Sequence, residues 1–432
     1  MTIKGRLRRR ASSLVVNALL TPEAKLAWPW RVAYHPVFEA LPDLVDQCYR
    51  ASWYIPVRSG CEVVFPIGPR LSPPTRDELE KLRPTYMPEL APDIRHFRFV
   101  RVANRSGHVA LLRRSRNILF WRSPGAWAAK LFPLFSPASS SRFSLVDRQA
   151  PRFDEAVHYA SLLHRMLPAA DAHSLVESSA GRFHAAVADL RLRFKRAYVF
   201  ATGPSLQSVM SHDFSDGARV VCNTIVKNDQ LLAHIRPHFI VAADSAYYFG
   251  CTRYADAFRR DLRRAVQVWD AWFVVPDICA PLLLANYPEL EDRLLAIPYA
   301  YGQAVPNLDL AREFCVSSGK GSHHARTILQ QLLVPLGSTL ADDVVIAAAD
   351  GRSKSSQRFW NHDPASQYVD LMETLEQGHP GYFAGVNFQD YYDQHCISLE
   401  HLLSYGESVG KHYTSLTPSL IPALQKRQVR AG

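Results

Sequence analysis

The 432-residue sequence predicts an α/β protein. The expected architecture is a doubly wound, Rossmann-like domain with a mostly parallel sheet, preceded by a less regular α+β N-terminal domain. Three observations predict it. From residue 197 onward, short apolar runs alternate with helical stretches, the pattern of a parallel sheet with crossover helices. Three successive runs end in a polar tip: Thr202-Gly203-Pro204-Ser205, Cys222-Asn223 and Asp244. In an open parallel sheet such tips line one crevice, where ligands bind. The length also exceeds what one ordinary core supports, so two domains are the default.

The elements follow in order. The first residues are basic, as in Lys4-Gly5-Arg6-Leu7-Arg8-Arg9-Arg10, and the apolar run from Ser13 to Leu20 comes next. That run is short, is broken by Asn17 and lacks a small-residue cleavage site, so it is read as a surface-bound helix or a solvated basic leader rather than a signal peptide. Residues 1–150 form an N-terminal α+β region, assigned to acceptor or membrane contact. Cys61–Pro66 and Phe97–Val102 read as strands, and His108–Trp121 as a hairpin. Ser136–Ser144 reads as a linker or exposed loop. Residues 151–196 are a helical connection, with Pro168 the one proline in the helical stretch 153–194.

Residues 197–395 read as the Rossmann-like catalytic domain, with strands at 197–201, 218–222, 239–243, 272–275 and 343–348. The clearest helix is Ser322–Leu333, where Ala325, Ile328, Leu329, Leu332 and Leu333 share a face. Residues 396–432 are a helical tail whose last ten residues are basic and expected to fray.

Composition bounds the function. The chain is 47% hydrophobic and 21% charged, as soluble globular proteins are. No segment approaches the ~20 apolar residues of a membrane span. A net charge of +10 points to a polyanionic partner. The seven cysteines are scattered without a Cys-x-x-Cys pair, which reads as reduced thiols in a cytoplasmic protein.

The strand tips carry the candidate chemistry. Gly203 permits a tight turn, Pro204 sets the first helical φ, and Ser205 either caps the helix or bonds a phosphate. Asn223 and Asp244 end the next two strands. A second Gly/Ser-rich segment, Ser318-Gly319-Lys320, suits phosphate or carboxylate but lacks the spacing of a Walker A loop. Asp350 and Arg352 follow the last strand, and Arg352 and Lys320 are candidates for a carboxylate or phosphates. His362 and His379 lie in an aromatic-rich segment of the kind that stacks on sugars and bases. No Asp-x-Asp motif ends a strand and no Cys/His cluster has zinc spacing, so no metal site is expected.

The order strand–Gly-Pro-Ser-Leu, strand–Cys-Asn, strand–polar tip, Ser-Ser-Gly before a helix, then strand–x-Asp resembles the bacterial CMP-sialic acid transferases of the lipooligosaccharide type. It is also similar to their wider relatives: flagellin nonulosonate transferases, the pterin diphosphokinase-like family and the retaining β-Kdo transferases of capsule and O-antigen assembly. The resemblance covers roughly residues 197–375. It implies that Gly203, Pro204 and Ser205 hold the CMP phosphate and ribose. Asn223 would contact the nucleotide, and Ser318 and Gly319 the cytidine or the sugar carboxylate. His362, with His379 as rival, would be the catalytic histidine.

The sialyltransferases have Asn at the tip where Asp244 stands. A carboxylate there reads as a nucleophile that gives retention, as in the Kdo transferases, or as a ligand for a sugar hydroxyl or a helix cap. The expected function is therefore transfer of an acidic 2-keto sugar from CMP to a cell-surface glycan or a lipid-linked oligosaccharide. Kdo leads, with sialic and other nonulosonic acids next. No cofactor beyond the donor, no metal and no nucleic acid are expected. The expected location is the cytoplasm, peripheral on the anionic inner-membrane surface.

Two alternatives remain. One is a Mg²⁺-dependent diphosphotransferase using Asp244 and Asp350. The other is an RNA-binding protein using the basic, aromatic stretch Arg98–Arg122.

Overall fold

The computed structural model describes residues 30–122, 142–151, 154–297, 299–300, 322–323, 327–353, 362–384 and 387–429. The chain is α/β throughout and folds as two units, each built on its own parallel sheet.

Unit 1 comprises residues up to Met166, with Gly250–Arg253 and Glu373–Gly385 returning to it. Its elements are β1 (Trp30–His35), α1 (Leu41–Tyr54), β2 (Cys61–Ile67), α2 (Arg76–Lys81), β3 (Phe97–Arg101), α3 (Arg105–Arg113), β4 (Asn117–Phe120), β5 (Phe143–Leu145) and α4 (Glu155–Met166). The strand order is β3-β2-β1-β4-β5, every pair parallel. Parallel neighbours need crossovers, and α1 to α3 supply them. Local chemistry starts these helices. Thr75 and Glu78 form a reciprocal capping box on α2, and the Asn104 side chain accepts from Gly107 N at the start of α3. Val32, Ala33, Val63, Val64, Ile118 and Leu119 are fully buried, as strands covered on both faces are.

This unit is more regular than the α+β region expected, and two local expectations are corrected. His108–Trp121 is not a hairpin, because the Asn104 cap starts a helix through Arg113 and Asn117–Phe120 then pairs in parallel with β1. The loop expected at Ser136–Ser144 runs into β5 at Phe143; its residues 136–141 lie outside the described residues.

Unit 2 holds Leu167–Phe249, Tyr254–Met372 and Val386–Gly432. The long helix α5 (Ala169–Arg193) leads into β6 (Arg196–Phe200), β7 (Gly217–Cys222), α6 (Asp229–Ile235), β8 (Phe239–Val241) and the short α7 (Ser245–Tyr248). Then come α8 (Arg253–Trp269), β9 (Trp272–Pro276), α9 (Ala280–Asn286) and β10 (Leu294–Ile297). A two-residue pair follows, β11 (Tyr299–Ala300) with β12 (Ser322–His323). A π-turn at Leu329–Leu333 runs into α10 (Val334–Leu340), then β13 (Asp343–Ala347). Past α11 (Met372–Gly378) and α12 (Pro380–Phe383), the chain ends with α13 (Phe388–Ser408), β14 (His412–Ser415) and α14 (Pro422–Gln425).

The main sheet has the order β10-β9-β8-β7-β6-β13-β14, all parallel. Val199, Val220, Val241, Val274 and Ile346 are fully buried within it. Gly337 lets α10 lie directly on the sheet, since a Cβ there would meet Val199 Cγ1 at 2.8 Å.

The five strands expected in this unit are all present, with ends shifted by at most two residues. The helix expected at Ser322–Leu333 starts later. Ser322 and His323 are extended and pair with Tyr299 and Ala300, and helical backbone begins at Ile328. The tail is not frayed through residue 429. Ala423 and Leu424 are buried, and Arg427 pairs with Glu400 and Glu407.

Candidate functional site

In unit 2 the strand order reverses between β6 and β13, and an open α/β sheet binds ligands outside the carboxyl ends at such a point. The backbone there is distorted in a specific way. Ala348, just past β13, has φ of 56°, and Asn223, just past β7, has φ of 52°. Left-handed φ at a non-glycine residue costs roughly 1–2 kcal/mol, tolerably for Asn and less so for Ala. Such strain gathers where function requires it. At Ala348 it turns the carbonyl so that Gly203 N donates to it at 2.8 Å.

Gly203 is then pressed against its neighbours: a Cβ would lie 2.6 Å from Ala348 O and against the Asp350 carboxylate. Pro204 opens a 3-10 helix, Pro204–Ser211, at its first position, as its fixed φ favours. Ser205 neither caps this helix nor is left open to an anion. Its backbone N–H donates to Asp350 Oδ1 at 3.1 Å and its hydroxyl to Asp350 Oδ2 at 2.8 Å. Asp350 therefore already holds the negative charge that the sequence assigned to a phosphate at this helix start. Burial pushes its carboxyl up, and the two Ser205 bonds work against that rise.

Asn223 is buried, and its Oδ1, with Thr224 Oγ1 beside it in sequence, has no hydrogen-bond partner among the described residues. A buried acceptor left this way costs about 1–3 kcal/mol unless a ligand completes it. Asp244 stands at the tip of β8 and heads α7, yet its side chain makes no capping bond. It is accessible to solvent. Even so, the protein around it is dense enough to push its carboxyl up to about 6 by desolvation, the sole resolved cause.

His362 is half-buried, with Nδ1 at 2.7 Å from Thr202 Oγ1. Burial lowers it to about 4, with Thr202 opposing the shift, so the ring is neutral at pH 7. Asp363 fastens this segment: its N–H donates to Thr202 O at 2.9 Å and its carboxylate accepts from Gln207 Nε2 at 2.8 Å. His362 and the Gly203 turn are thus joined through Thr202, a residue the sequence reading did not single out. Arg352 is buried, with its guanidinium 6.0 Å from the Tyr392 ring.

The chain matches no family model, no curated protein and no solved structure. The functional reading therefore stands on residues and geometry.

The other expected residues divide sharply. Ser318, Gly319 and Lys320 lie outside the described residues. His379 belongs to unit 1, where it is 1% exposed and lies 3.6 Å from the equally buried Glu155. Burial is the largest influence on it and lowers its pKa. A ring sealed in this way presents no edge to a substrate.

Two members of the expected aromatic segment are core residues rather than open platforms. Tyr368 is buried with its hydroxyl on Asp261 at 2.6 Å, and His395 is buried beside Thr327. Both are core residues, and sequence spacing alone gave no sign of it.

Asp244 and Asp350, the pair a Mg²⁺ reading needs, end β8 and β13, three strand positions apart. That is about 14 Å at ~4.8 Å per strand, against Mg²⁺–oxygen distances near 2.1 Å. Arg98 and Arg122, which bound the stretch of the RNA-binding reading, face Glu62 at 3.6 Å and Asp43 at 2.6 Å. Those two charges are answered within the fold.

Proposed function

We propose that unit 2 transfers an acidic 2-keto sugar, Kdo first and a sialic or other nonulosonic acid second, from a CMP donor to a cell-surface glycan. The observation that carries this reading is Asp244: a desolvated carboxyl, accessible at a strand tip and without a capping bond. With a pKa of about 6 it is roughly nine-tenths ionised at pH 7.

The reaction runs in two displacements. A carboxylate oxygen of Asp244 attacks the anomeric carbon, and the C–O bond to phosphate breaks, with CMP taking the electron pair. The acceptor hydroxyl then attacks the same carbon and expels Asp244, its proton passing to a base. His362 is neutral at pH 7, so its ring nitrogen is available to take that proton. Two inversions give net retention. Asn223 Oδ1 and Thr224 Oγ1, at the end of the neighbouring strand, are buried acceptors without a partner among the described residues.

The test begins with binding. CMP should raise the melting temperature of the full chain, equally with and without EDTA, because a ligand of the native state stabilises it by mass action. Transfer from CMP-Kdo should fall by on the order of a thousandfold in Asp244→Asn, the scale of losing a covalent catalyst. Intact-mass measurement with donor alone should find a glycosyl adduct in the parent chain. Full activity in Asp244→Asn would remove the nucleophile. No shift with any nucleotide would remove the transferase reading altogether.

A further inference from the structure

Unit 1 has its own switch point. Its order β3-β2-β1-β4-β5 reverses between β1 and β4. A crevice is therefore expected outside the carboxyl ends of those two strands. A cavity of about 370 Å³ lies there, within the range of small-molecule sites. The first turns of α1 contribute Asp43, Asp46 and Gln47; the residue after β4 contributes Trp121; the turn after β5 contributes Asp147 and Arg148. These residues all belong to unit 1.

The lining is unsuited to phosphate. The β1–α1 connection, Pro36-Val37-Phe38-Glu39-Ala40, has no glycine to bring backbone near a diphosphate. The first turn of α1 carries Asp43 and has Pro42 as its second residue. Three carboxylates face two guanidinium groups, and both guanidinium groups are engaged. Arg122 Nη2 is 2.6 Å from Asp43. Arg148 is 3.7 Å from Asp46, with its guanidinium 5.1 Å from the Tyr86 ring.

The deeper groups are mainly acceptors. Asp46, Gln47 and Asp147 are each at most 9% exposed. Gln47 Oε1 has no partner among the described residues. Trp121 forms part of the wall; it is 7% exposed, stacked on Phe38 at 4.5 Å, carries the Arg122 guanidinium 4.4 Å from its ring and is held by a bond from its Nε1 to Pro36 O at 2.8 Å.

We infer that this crevice is a saccharide-binding site, taking a mono- or disaccharide through its hydroxyl groups. A sugar hydroxyl both donates and accepts, and here carboxylate and amide acceptors alternate with guanidinium donors beside Trp121. A polyamine would have to displace Arg122 and Arg148 from the carboxylates they already pair with. A phosphate would meet three carboxylates. The site stands on unit 1 alone and does not depend on what unit 2 transfers.

The test uses the full-length chain and saturation-transfer NMR with methyl glycosides of hexoses, heptoses and N-acetylhexosamines. Spermidine and inorganic phosphate serve as contrasts. At least one glycoside should bind, and its affinity should fall about tenfold or more in Asp147→Asn and in Gln47→Met. The half-buried Asp43→Asn, less disruptive than changes at the buried positions, guards against misfolding and should weaken binding in the same direction.

Three results overturn the inference: no glycoside binding at millimolar concentration, binding untouched by all three variants, or spermidine or phosphate competing in its place. Glycoside binding without a CMP shift would sink the unit 2 reading and leave this one standing. The converse would do the reverse.

Discussion

Gly203 holds the tightest position in the unit 2 crevice. Its N–H donates to Ala348 O, and no Cβ fits between that oxygen and Asp350. Gly203→Ala should destabilise the chain by about 2 kcal/mol or more, because one obstructing atom is backbone and cannot swing away. Urea unfolding checks this, and a loss below about 0.5 kcal/mol would show that the turn yields. At this scale the strand-tip positions were legible. Gly203, Asn223 and Asp244 stand at strand ends, as their places after apolar runs implied. Asp350 was legible as a tip but not in its role. What aims it at Ser205 is a turn built on Ala348 and Gly351, both at positive φ, and an alanine announces no such turn. His379 misled for a related reason: a histidine before a proline looks the same whether it faces a ligand or Glu155.

At the scale of elements, the strand-end turn after β13 carries its own test. Ala348→Gly removes a left-handed penalty of about 1–2 kcal/mol. It adds the unfolded-state entropy of glycine, about 0.5–1 kcal/mol. The sum favours the glycine variant, so its melting temperature should rise by a few degrees at most. A clear fall would mean that the methyl group, 1% exposed, contributes more in packing than the backbone loses in strain. The unit 2 strands were readable because central parallel strands are apolar on both faces. Unit 1 hid its order. α1 turns Asp46, Gln47 and Arg50 inward, which breaks the apolar spacing that marks a helix. β14, His412-Tyr-Thr-Ser, went unread because a short polar edge strand carries no apolar run.

At the scale of the whole molecule, titration and connectivity set stability. Burial lowers His35, His158, His238 and His362 to about 4 and His395 to about 3, from 6.5. The unfolded chain therefore binds more protons between pH 6.5 and about 4, and stability is complete above 6.5 and lost as pH falls through that window. Asp244, raised to about 6, and Asp350, also raised by burial, oppose this, but the five histidines outnumber them. Melting temperature should drop steadily from pH 7 to 4.5, and a flat profile would contradict the buried, neutral histidines.

Connectivity centres on Arg50, which is fully buried. It donates to Glu155 at 2.6 and 2.8 Å, to Asp46 at 3.1 Å, to Gly378 O at 2.9 Å and to Cys251 Sγ at 3.4 Å. One side chain thus ties the body of unit 1 to both segments that return to it from later in the sequence. Arg50→Met should cost about 3–5 kcal/mol, chiefly because Glu155 and Asp46 are left charged and buried without their partner. The double variant Arg50→Met with Glu155→Gln should then be more stable than Arg50→Met alone. The deficit of the single variant should also narrow as pH falls, since an unpaired buried carboxyl is raised and takes its proton earlier. If the double variant is no better than the single one and the deficit is independent of pH, Arg50 acts through packing and its link to Gly378 rather than through charge.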